Sequence, residues 1–316
     1  VTVLPKATPE KVTTLKDTTG DNLTTAVKEK AQAALGKLTL PTGVTVELDP
    51  NQTYAVPATD SNGDKDNVPV KVQYKDATGT VVAEDTINVP VTVVGSTPSK
   101  IVVFEGEKPT ADQAKAAVTP GTDGTKGEPT TLPETEGKAG ATDVKVDVPV
   151  TYDNGKLTET VSVPVTVLPK PKAGEVIVPK DLSEKELKDK VGKDAENAIN
   201  NEEFKKKLPE GAKVRVDLDN VKLPKTSTPG KAGEVEVPVI YTVNGKEYKT
   251  TVKVPVTVVE GKEQLVPKGD KPDPKDNITP GNYPEGSTFE YETPVDTSKP
   301  GKKEAVVIVK DKAGKE

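Results

Sequence analysis

The chain contains no cysteine, histidine, methionine or tryptophan, and aromatic residues make up only 3% of its 316 residues. Without cysteine it can form no disulfide, no thiolate metal site and no cysteine nucleophile. Without histidine it also lacks the commonest general base and the commonest transition-metal ligand. These absences leave little chemistry for catalysis, so we expect neither an enzyme nor a bound cofactor.

Arginine and long apolar runs are equally scarce. Arg215 is the only arginine, and the formal net charge at pH 7 is −6. Because phosphate binding needs positive charge and guanine is read by paired arginine donors, nucleic acid is not an expected partner. A membrane-spanning helix needs about 20 apolar residues in a row. The sequence offers no such run, and we expect no membrane insertion.

Apolar residues account for only 32% of the chain, with valine the most frequent among them. Valine and threonine fit the pleated, half-buried surface of a strand better than a helix. The composition therefore predicts a mainly β protein with small cores.

A valine-threonine-valine motif recurs along the chain. From Val1 through Val91 and Val165 to Val256 the spacings are 90, 74 and 91 residues. A motif at such intervals marks tandem domains. We predict four, called repeats 1 to 4 below: residues 1–95, 96–170, 171–260 and 261–316.

The segment 1–6, "VTVLPK", is identical to segment 165–170. We therefore expect residues 1–6 to be the tail strand of a preceding unit. At the other end, repeat 4 aligns with repeat 3 only as far as its penultimate loop. We expect repeat 4 to be carboxy-terminally truncated, without the return strand.

Repeats 1 to 3 each end in a hairpin whose return strand carries the motif. In repeat 2 the alternation pairs Tyr152 with Leu157, and in repeat 3 it pairs Tyr241 with Tyr248. The loops contain Gly155 and Gly245, each after an asparagine, and glycine supplies the positive φ that such loops need.

Each return strand also contains a proline: Pro90, Pro164 or Pro255. Proline cannot donate to a sheet ladder. With a two-residue turn in repeat 2, Pro149 and Pro164 would fall where N–H donors are required. We therefore predict a four-residue loop, "DNGK", or a local bulge. Either one turns the missing donor away from the partner strand and discourages edge-to-edge pairing between repeats.

Repeats 1 and 3 each carry a helical insertion, predicted near residues 21–38 and 184–207. In repeat 3, Ser183 and Glu186 form a capping box, and apolar residues from Leu187 onward keep to one face. A shorter helix, from Pro109, is predicted at the same place in repeat 2.

Repeat 4 resembles the Rib domain, or Rib/alpha-like repeat, of Gram-positive surface proteins. The resemblance rests on "PKDNI", on "YPEGSTFEYETPVDTSKPGKK", and in repeats 2 and 3 on a "GKAG" segment before the hairpin. It implies small immunoglobulin-like β-sandwich domains in an elongated end-to-end array. It also implies an extracellular, cell-wall-anchored adhesin that contacts a host and contributes to virulence, and it implies no catalytic residues.

Three local features have a functional and a plainer interpretation. Asp60, Asn62, Asp64 and Asp66 could bind calcium, although they lack the spacing of a known calcium loop, and a solvated turn is the alternative. The lysine-rich segment 204–216 could contact anionic glycans, or it could be a solvated helix end. An intramolecular Lys–Asn or Lys–Asp amide bond would need a lysine and its partner buried beside another carboxyl group.

These observations favour a non-catalytic stalk whose partners are the adjacent repeats, present as a monomeric rod. The competing hypothesis is that the repeats themselves bind a host protein or glycan. A ligand site would need exposed aromatic or apolar side chains, for which the sequence offers Phe104, Tyr54 and Phe289.

Overall fold

The computed structural model describes residues 2–316, and its regular structure is mainly β, as the composition predicts. The chain forms two compact units. Unit 1 comprises Val1–Ile101, Lys108–Glu134 and Thr142–Val165, and unit 2 comprises Val102–Glu107, Thr135–Ala141 and Thr166–Glu316. The limits of the four repeats remain a prediction.

Repeat 1 is a four-stranded sheet with one helix. Its elements are β1 (Val12–Leu15), α1 (Gly20–Leu35), β2 (Thr45–Leu48), β3 (Gly63–Lys75) and β4 (Val81–Val94). The strand order is β1-β4-β3-β2, with β1 parallel to β4 and the other neighbours antiparallel. Buried residues of α1 and of the sheet form one hydrophobic cluster, so the helix covers one face of the sheet.

Repeat 2 has shorter elements. They are β5 (Thr97–Pro98), β6 (Ile101–Phe104), α2 (Ala111–Ala116), β7 (Val118–Thr119), β8 (Thr125–Lys126), β9 (Lys145–Tyr152) and β10 (Leu157–Leu168). The main sheet has the order β6-β10-β9-β8, and β5 and β7 form a separate two-stranded ladder.

Repeat 3 repeats the architecture of repeat 1. Its elements are β11 (Val176–Pro179), α3 (Glu184–Asn200), α4 (Glu202–Lys206), β12 (Lys213–Val216), β13 (Gly230–Val243) and β14 (Lys246–Val259). The order is β11-β14-β13-β12, with β11 parallel to β14. Helix α3 contributes Leu187, Val191 and Ala195 to the core of this sheet.

Repeat 4 contains only two strands among the described residues, β15 (Thr288–Tyr291) and β16 (Val307–Lys310), paired antiparallel. Its small core combines Ile278 and Val309 with Tyr283 and Phe289, whose rings meet edge to face at 4.7 Å. Ile177 of repeat 3 joins the same cluster.

Helix α3 begins at its predicted cap. The capping box of Ser183 and Glu186 is present at α3, and a second one, from Thr110 and Gln113, begins α2. The segment expected to be helical near 184–207 divides at Asn201, whose side chain accepts from the backbone N–H of Phe204 and caps α4.

The proline prediction for repeat 2 is confirmed. Tyr152 lies opposite Leu157, so the loop has four residues, and Gly155 has φ of 86°. The backbone N–H of Val165 donates to the carbonyl of Val144, which directly precedes β9. Because hydrogen-bonded and non-bonded pairs alternate along an antiparallel ladder, this pair and every second pair from it are hydrogen-bonded. Pro149 and Pro164 lie in the intervening, non-bonded pairs. Neither position therefore needs an N–H donor towards the partner strand.

Repeats 1 and 3 place their prolines in two further ways. Pro90 lies opposite the register shift between Lys65 and Val68 on the partner strand, a bulge that was not predicted for this repeat. Pro255 lies opposite Glu234, immediately before the residues of β14 that pair with β11. The repeat 3 loop is the two-residue Asn244–Gly245 turn, with φ of 78° at Gly245.

One expectation from the sequence needs correction. Residues 2–6 form no strand, and Val1 lies outside the described residues. Val165–Leu168, with the same sequence, belongs to β10 and has neighbouring strands to pair with, whereas Leu4 lies against the core of repeat 1 without a ladder.

Candidate functional site at the repeat junctions

A buried tyrosine at the end of the first hairpin strand holds the chain that enters repeat 1. Tyr74, near the end of β3, is 3% exposed. Its hydroxyl donates a hydrogen bond to the carbonyl of Pro5. The entering chain is thereby fixed at Pro5 to a hairpin residue 69 positions further along the sequence.

Repeat 3 has the same arrangement at its own entrance. Tyr241, on β13, is fully buried, and its hydroxyl donates to the carbonyl of Pro169 at 2.5 Å. Pro169 is the residue of "VTVLPK" that corresponds to Pro5. The ring of Phe104 packs edge to face on Tyr241 with 5.2 Å between centroids, and the ring of Phe204 lies 6.3 Å away.

Repeat 2 uses a different partner in the same place. The hydroxyl of Tyr152, at the end of β9, lies 2.7 Å from the Ser96 hydroxyl and 3.2 Å from a carboxylate oxygen of Glu159. The same Glu159 carboxylate accepts from the backbone N–H of Ser96 at 3.0 Å. Nearby, the side-chain amide of Asn62 donates to the carbonyl of Gly95 at 2.8 Å, so two repeats hold one linker.

Burial explains why these hydroxyls must find a partner. A tyrosine in a valine core gains from burying its ring, but its O–H costs free energy if left unpaired. Burial raises the pKa of Tyr74, Tyr152 and Tyr241 above the ordinary value of 10.0. The three hydroxyls therefore stay protonated at neutral pH.

Sequence reasoning placed Tyr152 and Tyr241 on the inner face of their hairpins but missed their contacts with the linkers. The signal available was the residue type itself. A tyrosine on the buried face of an otherwise valine-rich strand requires a polar partner, and the segment "VTVLPK" recurs at the entrances of repeats 1 and 3.

The structure does not bring the calcium candidates together as ligands. Asp64 accepts a 2.5 Å hydrogen bond from the Thr92 hydroxyl, Asp60 is bonded to Ser61, and the Asn62 amide points to Gly95. Within residues 2–316, no group of three or more acidic side chains is placed to hold a metal ion.

The proposed ligand-contacting side chains are also largely occupied. Phe104 is buried against Tyr241, so its assignment as an exposed ligand residue is wrong; the repeat core takes up the ring. Tyr54 is half-buried, with the Lys28 ammonium 4.8 Å from its ring centre, and Phe289 packs on Tyr283.

The lysine-rich segment 204–216 runs from the end of α4 through a turn into strand β12. Its lysines are exposed, and Lys205 and Lys206 occupy the last turn of α4, where positive charge interacts favourably with the helix dipole. This is the plainer of the two interpretations.

One lysine–aspartate contact bears on the amide-bond hypothesis. The Lys315 ammonium contacts Asp194, whose side chain is 5% exposed, and also donates to the backbone carbonyl of Glu175 at 3.3 Å. The hypothesis needs a further carboxyl group beside the pair, and among the described residues neither side chain forms an ion pair or hydrogen bond with another carboxyl group.

A polar cavity of about 730 Å³ lies within unit 1, between the sheet of repeat 1 and the loop after β9. Its lining is rich in threonine and carboxylate side chains, including Thr13, Thr92, Thr151, Asp64 and Asp123.

Over the described residues, no helix combines the length and the apolar character needed to span a membrane.

Comparison with known proteins identifies the family of the last repeat. The family model of the Rib domain matches residues 259–314. The comparison with curated proteins gave no match.

Solved structures give only distant likenesses. An endo-fucoidan hydrolase from glycoside hydrolase family 107 is 10% identical, with a TM-score of 0.16; the match covers 70% of this chain and 38% of the hydrolase. An I-band fragment of titin is 9% identical, with a TM-score of 0.18 and 80% and 96% covered. The sialic acid binding region of a Streptococcus sanguinis adhesin is 14% identical, with a TM-score of 0.19 and 82% and 68% covered. Scores this low carry no argument about function.

Proposed function

This chain carries a Rib domain at residues 259–314, and from that premise we propose that it is a repeat region of a bacterial surface protein with a non-catalytic, mechanical role. Each repeat would act as a spacer that carries a distal binding domain away from the cell wall. The same role places the chain outside the cell, as a monomeric rod whose principal partners are its own neighbouring repeats.

The observation that carries this proposal is the tyrosine at the entrance of each of repeats 1 to 3. Tyr74, Tyr152 and Tyr241 each bond to the linker that precedes their repeat. A linker fixed to the following hairpin has fewer accessible conformations than a free one. Prolines in the linkers restrict the backbone further, which suits a spacer that must keep its length.

Small-angle X-ray scattering tests the spacer role directly. We expect a radius of gyration well above about 20 Å, the value for a compact domain of this length. A value near that of a compact globule would contradict the spacer role.

A second function, direct adhesion, is favoured by the polar cavity in unit 1. Threonine hydroxyls and carboxylates are groups that could bind a hydroxyl-rich ligand, although the cavity offers no exposed aromatic ring for sugar stacking. A panel of glycans and host matrix proteins would test it with the intact chain. Binding that is lost on Thr151→Val and Asp123→Ala, with the fold retained, would support adhesion; binding unaffected by them would place it elsewhere.

A further inference from the structure

Two loops, one from repeat 1 and one from repeat 2, meet at the linker residue Gly95. Gly95 directly follows β4 and is buried. From repeat 1, the side-chain amide of Asn62 donates a hydrogen bond to the Gly95 carbonyl at 2.8 Å. From repeat 2, Gly121 lies against the same peptide, and it belongs to the segment 120–124 after β7, called the glycine loop below. The two repeats therefore contact each other here, in addition to the tyrosine bond at the linker.

The glycine loop approaches the linker too closely for a side chain at either glycine. A Cβ built on Gly121 would lie 2.9 Å from the carbonyl oxygen of Gly95, 3.2 Å from its nitrogen and 3.3 Å from the amide nitrogen of Asn62. A Cβ built on Gly95 would lie 2.9 Å from the Cβ of Lys16. Backbone atoms and a Cβ cannot swing aside as the end of a long side chain can. Both positions therefore need glycine for this close approach.

The glycine loop is held in place within repeat 2. The N–H of Gly124 donates to the carbonyl of Gly121 at 3.1 Å and closes a turn. The N–H of Gly121 donates to the hydroxyl of Tyr152 at 3.4 Å. Strand β7, just before the loop, pairs with β5, which follows the linker. A contact between this loop and Gly95 therefore connects the body of repeat 2 to repeat 1.

Asn62 is held in the same way within repeat 1. It directly precedes Gly63, which begins β3 and pairs with Val93 of β4. Three residues earlier, the buried Thr59 hydroxyl donates to the carbonyl of Thr18 at 2.7 Å. The Asn62 amide thus comes from a fixed segment of the repeat, and its hydrogen bond satisfies a buried carbonyl that would cost free energy if left without a donor.

Repeat 3 has neither residue at the corresponding positions. The registers of the two hairpins align the first residue of β3 with the first residue of β13. Asn62 then corresponds to Pro229, and Gly95 corresponds to Glu260. Proline has no side-chain amide, and the carboxylate of Glu260 pairs with the Lys180 ammonium at 2.7 Å. The contact therefore depends on residues particular to repeat 1 and is not a general consequence of the fold.

We propose that Lys16, Asn62 and Gly95 form a docking surface on repeat 1 for the glycine loop of repeat 2, and that this contact makes the first junction a fixed joint. The partner that fits the surface is a following repeat with glycine at position 121. Rotation of repeat 2 about the linker would separate the two glycines and break the Asn62 bond. The proposal goes beyond the spacer role, because a spacer with a mobile first joint would still be extended.

Pulsed electron spin resonance on the full chain measures the joint. Spin labels on cysteines introduced at Thr86 and Thr158, both exposed, report the distance between repeats 1 and 2. The parent should give one narrow distance distribution. Gly121→Ala should shift the mean distance and broaden the distribution, because the added methyl group pushes the glycine loop away from the Gly95 backbone. Asn62→Ala should broaden the distribution, because the Gly95 carbonyl loses its donor.

Two variants of repeat 1 serve as matched controls. Asn88→Ala removes another exposed asparagine, on strand β4. Gly36→Ala adds a methyl group to a glycine that has φ of −64° and room for a Cβ. Both controls should keep the distance distribution of the parent.

Circular dichroism separates a moved joint from a lost fold. Its spectrum should be the same in the parent and in Asn62→Ala, which changes only an exposed side chain of repeat 1 and leaves repeat 2 intact. If Gly121→Ala loses regular structure, Asn62→Ala alone decides. A broad distribution in the parent, an unchanged one in Asn62→Ala, or an equal change in the controls would overturn the proposal. The scattering test of the spacer role could still succeed in each of these cases, so the two proposals fail separately.

Discussion

At the scale of single residues, tyrosine is the side chain that gives a valine-built repeat its specific contacts. Valine fills the cores but bonds to nothing. The hydroxyls of Tyr74, Tyr152 and Tyr241 instead reach main-chain or side-chain groups of the preceding linkers. A chain with no disulfide thus fixes its linkers by polar contacts protected from water.

Replacing Tyr241 by phenylalanine removes the bond to Pro169 while keeping the ring. We expect the Tyr241→Phe variant to lose about 1–2 kcal/mol of unfolding free energy, because the Pro169 carbonyl loses its donor in a buried site. Urea unfolding measures the change. Tyr248→Phe is the matched control, since Tyr248 is half-exposed on the same hairpin and the substitution keeps its ring, which packs at the edge of the core beside Lys246, so it should stay within about 0.5 kcal/mol of the parent. Equal losses in both variants would argue against the Pro169 bond.

Alkaline pH tests the same tyrosines without mutation. Their folded-state pKa values are raised by burial, so between 10.0 and those values the folded chain binds more protons than the unfolded chain. The contribution of these tyrosines to the free energy of unfolding is therefore complete below pH 10. It decreases as pH rises through 10 towards the folded-state pKa values. Urea midpoints from about pH 8 to about pH 11 should show this loss, and Tyr241→Phe should make it shallower. A loss of the same steepness in the variant would contradict the assignment to Tyr241.

At the scale of elements, the hairpins and helices could be predicted because their signals are local. The facing of Tyr152 and Leu157, the four-residue loop and the cap at Ser183 follow from alternation, turn chemistry and capping residues. The parallel pairing of β1 with β4 could not, because a four-residue strand leaves no mark of its partner 79 residues away.

The prolines show how element and sheet depend on each other. Pro255 directly precedes the residues of β14 that pair with β11 on the second side. The residue without an N–H donor therefore lies just before the ladder between β14 and β11 begins. The sequence shows that a proline is present in the strand, but its placement is explained only by the position of β11 in the structure.

Loop glycines give a prediction at this scale. Gly245 has φ of 78° and no atom near an added Cβ, so Gly245→Ala costs only backbone strain, about 1 kcal/mol of unfolding free energy. Gly36→Ala is the control, because Gly36 has φ of −64° and room for a methyl group, and it should be neutral or stabilising. Thermal denaturation of both variants measures the difference, and a Gly245→Ala variant as stable as the parent would exclude a strained turn.

At the scale of the whole molecule, tandem repetition was visible in the spacing of one motif, and the Rib domain match confirms the resemblance for the last repeat. The linker contacts were not predictable. They join residues 56 to 72 positions apart, and their partners differ between a proline carbonyl and a serine hydroxyl. Such pairs become evident only when the hairpin and the linker are placed together in space.

Buried tyrosines fix the linkers between repeats, and a distance measured across the first junction tests this most directly. Pulsed electron spin resonance would use spin labels on cysteines introduced at the exposed Thr86 and Thr158. The chain has no native cysteine, so both labels go to known sites. We predict a narrow distance distribution that broadens when Tyr152→Phe removes the bond to Ser96. A distribution equally broad in the parent and the variant would contradict a role for Tyr152 in fixing this linker.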